Sequence, residues 1–239
     1  MVSEDSVDSG DSVDVRFRDP DIPDGEKCRY TVTTDGRSSG FEISSVLTRE
    51  DGGYRALLEA SSGDDEVQLT IDQRFGRIEG FLRAEDYRAE TRSRGVVVSR
   101  EEAHFVDTVH LPLGGAPAPF PPAIMPIVGG LTLLRGLDFT EGTAQTIDTW
   151  LAFSVHWPLI ARVEKTTTVT VGVGDIECRQ VRLRPGFGQV NTLLDKIIGG
   201  LLPPFVLHFE LAAPHRLVRM SFPTELSLSA ARGVLELAG

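Results

Sequence analysis

The chain has 239 residues, 41% apolar and 25% charged, within the range of globular domains, which excludes a mostly disordered or a membrane-embedded chain. Its formal charge of −11 argues against nucleic acid or anionic lipid as a partner, since both are bound through Lys and Arg that release counterions. No apolar run reaches the roughly 18–20 residues of a transmembrane span; the longest, Phe120 to Leu134, is broken by Pro121, Pro122, Pro126, Gly129 and Gly130.

Residues 1–24 are rich in Asp, Glu and Ser and lack the basic and apolar regions of a secretory signal, so they are expected to form an acidic, disordered tail. On that reading alone the expected compartment is the cytoplasm. Residues 25–239 are expected to form a single β-rich domain.

From Glu26 the pattern has period two, with turn residues at short, regular intervals, as in the hairpins of an antiparallel meander. Cys28, Tyr30 and Val32 alternate with Arg29, Thr31 and Thr33 up to the Asp35-Gly36 turn. Phe41, Ile43 and Ser45 follow, then the Asp51-Gly52-Gly53 turn and a strand over Tyr54 to Ala60. Gly63-Asp64-Asp65 leads to Val67, Leu69 and Ile71. Gly, or an Asp able to bond its own backbone, stands wherever the chain must reverse. Arg77 to Ser99 continues the meander, and its alternating charges (Glu85, Arg88, Glu90, Arg92) predict a wet face carrying cross-strand ion pairs.

At Leu111 the character changes. A connection rich in Pro, Gly and Ala runs to Pro122, and Ile124, Ile127, Val128, Leu131, Leu134 and Leu137 then recur at helical spacing, predicting a short apolar helix. Strands resume over Thr146 to His156, Val163 to Val173 and Glu177 to Leu183; the β-branched run Thr166 to Thr170 is unsuited to a helix. Val190, Leu193, Leu194, Ile197, Ile198 and Leu201 predict a second, amphipathic helix stopped by Pro203 and Pro204. Phe205 to Leu237 reads as two or three further strands, with Pro214 and Pro223 at turns or edges. The echo between Ile127-Val128-Gly129-Gly130-Leu131 and Ile197-Ile198-Gly199-Gly200-Leu201 is read as two points where Gly-Gly ends or bends a helix.

Motifs of chemistry are few. Gly36-Arg37-Ser38-Ser39-Gly40 fits the G-x-S-x-G nucleophile elbow, but the elbow needs a helix after the serine, and Phe41 to Leu47 reads as a strand. His104, His110, His156, His208 and His215 show no spacing that would place two imidazoles on one metal, so no metal site is expected. Asp19, Asp21 and Asp24 do not complete a calcium loop, because position twelve would be Tyr30 rather than Glu. Cys28 and Cys178 read as free, half-buried strand cysteines, with a single disulfide as the alternative.

Gly25-Glu26-Lys27-Cys28-Arg29-Tyr30-Thr31-Val32, the turn Gly36 to Gly40, Leu133-Leu134-Arg135-Gly136-Leu137 before Gly142, and Asp175-Ile176-Glu177-Cys178-Arg179-Gln180-Val181 before Pro185 together resemble the bacterial family called domain of unknown function 3108. The resemblance covers roughly Gly25 to Leu237 and implies an exported or periplasmic β-rich protein. At the level of architecture it also implies likeness to lipoprotein carriers, whose curved sheet wraps apolar helices around acyl chains.

The expected fold is mainly β: an antiparallel meander curved into an open or half barrel, with two short apolar helices in its mouth or lumen. The expected function is non-enzymatic binding of an apolar small molecule, lipid or acyl chain, without a cofactor. Its expected lining is Ile124, Ile127, Val128 and Leu131 from the first helix, and Leu194, Ile197, Ile198 and Leu201 from the second. A structural or protein-interaction domain is the alternative, and a hydrolase acting through Ser38 ranks last.

Overall fold

The computed structural model describes residues 13–14, 16–64, 66–110, 116–152, 155–186, 204–224 and 231–239. Two short strands, β1 (Val13–Asp14) and β2 (Phe17–Arg18), precede a long meander: β3 (Glu26–Thr34), β4 (Arg37–Glu50), β5 (Gly53–Ser62), β6 (Val67–Ile78), β7 (Phe81–Ser93) and β8 (Val96–His104). A crossing segment carries β9 (Val109–His110), β10 (Ala118–Pro119), β11 (Met125–Pro126) and a single helical turn, α1 (Leu131–Leu134). A second meander follows: β12 (Ala144–Ala152), β13 (Val155–Val171), β14 (Gly174–Pro185), β15 (Phe205–Glu210), β16 (Leu217–Pro223) and β17 (Arg232–Leu237).

Tight turns set the register of the first meander. Asp35-Gly36, Glu79-Gly80 and Arg94-Gly95 each place two successive residues at positive φ, the form whose twist matches that of the flanking strands. A bulge opposite Arg74 and Phe75 inserts one residue into β7, so that Ala84 and Tyr87 both face the core despite their odd spacing. Arg92 and Arg100 both reach Glu90, at 2.6 and 2.7 Å, and Arg88 meets Glu102 at 3.0 Å, so the alternating charges do lie in ion pairs on the wet face.

The two meanders are joined through the ends of the chain. β17 pairs with β3 in antiparallel register, Leu235 opposite Val32 and Leu237 opposite Tyr30, so one continuous curved sheet runs from β12 through β17 and β3 to β7 and β8. The sheet is not closed into a barrel. Its open edges belong to strands from the middle of the sequence, and the crossing segment bridges them. β11 pairs in parallel with β12, and the N-terminal segment lays β1 on β12 and β2 on β7. Phe17 and Ile22 are buried, so the chain joins the core before Gly25.

An aromatic seam spans the gap between the edges. Tyr87 of β7 meets Trp150 of β12 edge to face, and Phe105 packs against both Trp150 and Phe120. His110 stacks on Phe120 with centroids 4.3 Å apart. One buried cluster draws on both meanders and the crossing segment, and Val169, Val171, Cys178 and Val218 form a small satellite.

Helix content departs from expectation. The helix expected from Ile124 onward contracts to the four residues of α1, because Met125 and Pro126 are extended along β12 and Gly129 turns at φ +88. Prolines and glycines override the 3.6-residue spacing of the apolar positions here. The second expected helix, Val190 to Leu202, lies outside the described residues, as does the second half of the Gly-Gly echo.

Candidate functional site

The register of the first meander brings inward-facing residues into cross-strand rows. Glu26, Leu47, Ala56, Gln73 and Tyr87 form one row; Cys28, Ser45, Leu58, Ile71 and Ala89 form the next; Tyr30, Ile43, Ala60 and Leu69 form a third. On the second meander, Val181, Leu207, Met220 and Leu235 continue one row across the junction to Val32. Alternation sends each row to the same face of the sheet, and the curvature turns these faces toward one another.

Between them lies a cavity of about 350 Å³, roofed by the segment from Met125 to Arg135. Its wall is largely aliphatic and aromatic, including Val32, Ile43, Leu58, Leu69, Phe205 and Met220. Ile127 and Val128 line it while remaining 41% and 44% exposed, so the cavity reaches the surface beside them.

Of the residues expected to line a site, Ile127, Val128 and Leu131 border this cavity, whereas Ile124 is buried in the main core and is not part of the described wall. Leu194, Ile197, Ile198 and Leu201 lie outside the described residues.

Two polar features stand in this apolar wall. Arg135, just after α1, forms a two-pronged ion pair with Glu26 at 2.6 and 3.1 Å and donates from Nε to the Pro214 carbonyl at 2.8 Å. The side chains are only 8% and 12% exposed. Burial with several hydrogen bonds is what allows such a pair to persist away from water. It ties the roof to β3, the first strand of the long meander, and leaves the described lining with no net formal charge. Nearby, burial pushes the Cys28 thiol up and the Tyr30 hydroxyl well up, so both stay neutral at ordinary pH.

The second feature is Gln73, 1% exposed, with neither its carboxamide oxygen nor its nitrogen hydrogen-bonded. It sits on β6 against Gly129 of the roof, where a Cβ would lie 2.6 Å from Gln73 Oε1. Glycine there meets both the positive φ and the close approach of the carboxamide.

Sequence reasoning passed over Gln73, Glu26 and Arg135 as site residues. The signal for Gln73 is visible: it continues the inward phase of Leu69 and Ile71 and is followed in phase by Phe75, a polar residue where an apolar one belongs. Glu26 and Arg135 are brought together across the fold and carry no such local signal.

The other motifs resolve into structure. Gly36 to Gly40 occupies the β3–β4 hairpin, the strand runs on to Glu50 with no helix after it, and Ser39 Oγ donates to the Val32 carbonyl at 2.7 Å. Such a hairpin lacks the raised serine of a nucleophile elbow. Cys28 and Cys178 are both free and buried. His104 lies against Asp86 at 2.5 Å, His110 stacks on Phe120, and His215 Nδ1 lies 3.0 Å from the Glu210 carbonyl. Among the described residues no helix is long and apolar enough to cross a membrane.

No family model matches the chain, so the resemblance to domain of unknown function 3108 has no such match behind it, and no curated protein is similar to it. Two solved structures align over 94% of this chain and 98% of their own. One is a candidate exported protein with a YmcC-like fold from Bacteroides fragilis, at 10% identity and TM-score 0.33. The other is a candidate lipoprotein from Parabacteroides distasonis, at 7% identity and TM-score 0.33. Scores at this level do not establish a common fold.

Proposed function

We propose that the chain is a non-enzymatic binding module that takes an apolar or acyl ligand between the curved sheet and the segment Met125 to Arg135. The observation that supports this is the cavity and its wall. An acyl chain bound against this apolar wall would gain about 0.8 kcal/mol per buried methylene. Ile127, Val128 and Leu131 are assigned to the ligand wall; Leu194, Ile197, Ile198 and Leu201 are assigned the same role on their helical spacing.

The test is uptake of the uncharged dye N-phenyl-1-naphthylamine by the full chain. Binding is expected, and it should weaken strongly in Ala60→Phe, which fills the cavity, and in Ile127→Asp, which sets a charge at its mouth, with unchanged circular dichroism. A chain that takes up no dye, or variants that bind it as the parent does, would overturn the reading.

A second reading rests on the outer edge of β8, which pairs only with β7 among the described residues and exposes Val96 and Val98. An unpaired edge with apolar side chains suits addition of a strand from a protein partner. Val98→Lys should then abolish partner capture without altering dye uptake.

A further inference from the structure

An apolar cavity by itself does not fix the polar end of its ligand. Resting on the proposed binding function, we infer that the ligand is a chain with one uncharged hydrogen-bonding head group of the carboxamide type, seated against the Gln73 carboxamide beneath Gly129.

A buried carboxamide with no partner is costly, because its donors and acceptor have given up water without replacement. Gln73 is in this position at both heteroatoms, and it lines the cavity. A leucine or methionine of similar size would satisfy the same packing without that cost, so the polar group needs a reason inside the cavity. Gly129 supplies the local room, since any side chain there would strike Oε1.

The head group's charge follows from the rest of the wall. Glu26 and Arg135 neutralise each other through two hydrogen bonds, and no other charged side chain stands among the described lining residues. Among the described lining residues a carboxylate would find no free cation, and an ammonium no free anion. Either would carry an uncompensated charge into an apolar interior. Gln73 offers one acceptor and two donors, so the complementary head both donates and accepts. A primary amide does this in one planar group, because one of its N–H bonds lies on the same side as its carbonyl, and it pairs with a carboxamide through two parallel hydrogen bonds. An alcohol makes only one of the two in that plane.

The experiment measures displacement of N-phenyl-1-naphthylamine by decane, decanol, decanamide and decanoate at about pH 8, with the parent chain and with Gln73→Leu. Decanamide is expected to bind at least about tenfold more tightly than decane, as one or two neutral hydrogen bonds formed in a dry site allow. Decanol should fall between them and decanoate should bind worst. Gln73→Leu should erase the advantage of decanamide while leaving decane unchanged.

If decane displaces the dye as well as decanamide does, the head-group inference fails while the cavity reading stands. Decanoate binding as tightly as decanamide sinks the neutral head in the same way. If the parent chain takes up no dye, the cavity reading itself has failed. Should Gln73→Leu not fold, the order of the four ligands on the parent chain still decides the matter.

Discussion

Tyr87 and Trp150 meet edge to face with ring centroids 5.2 Å apart, although their strands lie toward opposite ends of the strand order of one sheet. Among the described residues no ladder of backbone hydrogen bonds joins β7 directly to β12, so this side-chain seam works together with the N-terminal and crossing segments to hold the two edges in place. Trp150→Ala removes the ring that touches both Tyr87 and Phe105 and should cost about 3–5 kcal/mol, as large aromatic truncations in cores do. Tyr87→Phe keeps the ring pair and should stay within about 1 kcal/mol of the parent. Urea denaturation of both variants checks this; equal losses would show that the seam contributes little to holding the edges.

The ion pair between Arg135 and Glu26 is predicted to matter more when broken than when replaced. Arg135→Met alone leaves the Glu26 carboxylate buried without its partner and should cost about 3–5 kcal/mol, and Glu26→Leu alone, which leaves the Arg135 guanidinium buried, should also destabilise. The double variant Glu26→Leu with Arg135→Met should recover most of that loss. A double-mutant cycle by chemical denaturation measures it; additive losses would contradict the coupling.

His208 gives the molecule a pH dependence of known sign. Burial first, and the nearby Arg219 second, hold its imidazole below the ordinary 6.5, against the opposing pull of Glu164. Below that ordinary value the unfolded chain binds a proton that the folded chain refuses. This contribution to stability is therefore complete above about pH 6.5 and shrinks as pH falls toward the folded value, levelling beneath it. His208→Gln should flatten the slope of unfolding free energy between about pH 7 and about pH 5. An unchanged slope would place the titration elsewhere.

Gly136 takes part in the contact between the crossing segment and the N-terminal segment. Its carbonyl accepts from the Arg18 amide at 2.7 Å, and a Cβ would stand 2.2 Å from the Arg18 carbonyl oxygen. Gly136→Ala must displace backbone rather than a flexible side chain, so a loss of about 1–3 kcal/mol is expected in thermal or chemical unfolding. The same change at Gly142, where nothing lies within 4 Å, isolates the cost of its φ of +88 from that of crowding.

How much of this was legible in the chain follows from the range of each interaction. The strands from Glu26 to Ser99 and the turn at Asp35-Gly36 were readable, because alternation and turn chemistry are local. The helix from Ile124 is legible only in part: α1 forms, but apolar residues at helical spacing also suit an extended segment laid along a strand, and Pro126 and Gly129 decide between them. For the candidate site, the apolar roof at Ile127, Val128 and Leu131 was named from spacing alone, without the wall it faces.

By itself the sequence determined a mainly β chain, its short-range hairpins and the apolar character of its crossing segment, since each depends on residues within a few positions of one another. Only the tertiary structure decided that β17 closes onto β3, that Arg135 finds Glu26, and that Gln73 lines the cavity against Gly129. Those contacts join residues far apart in the chain. Their partners are fixed by the order and curvature of the whole sheet, which no local pattern encodes.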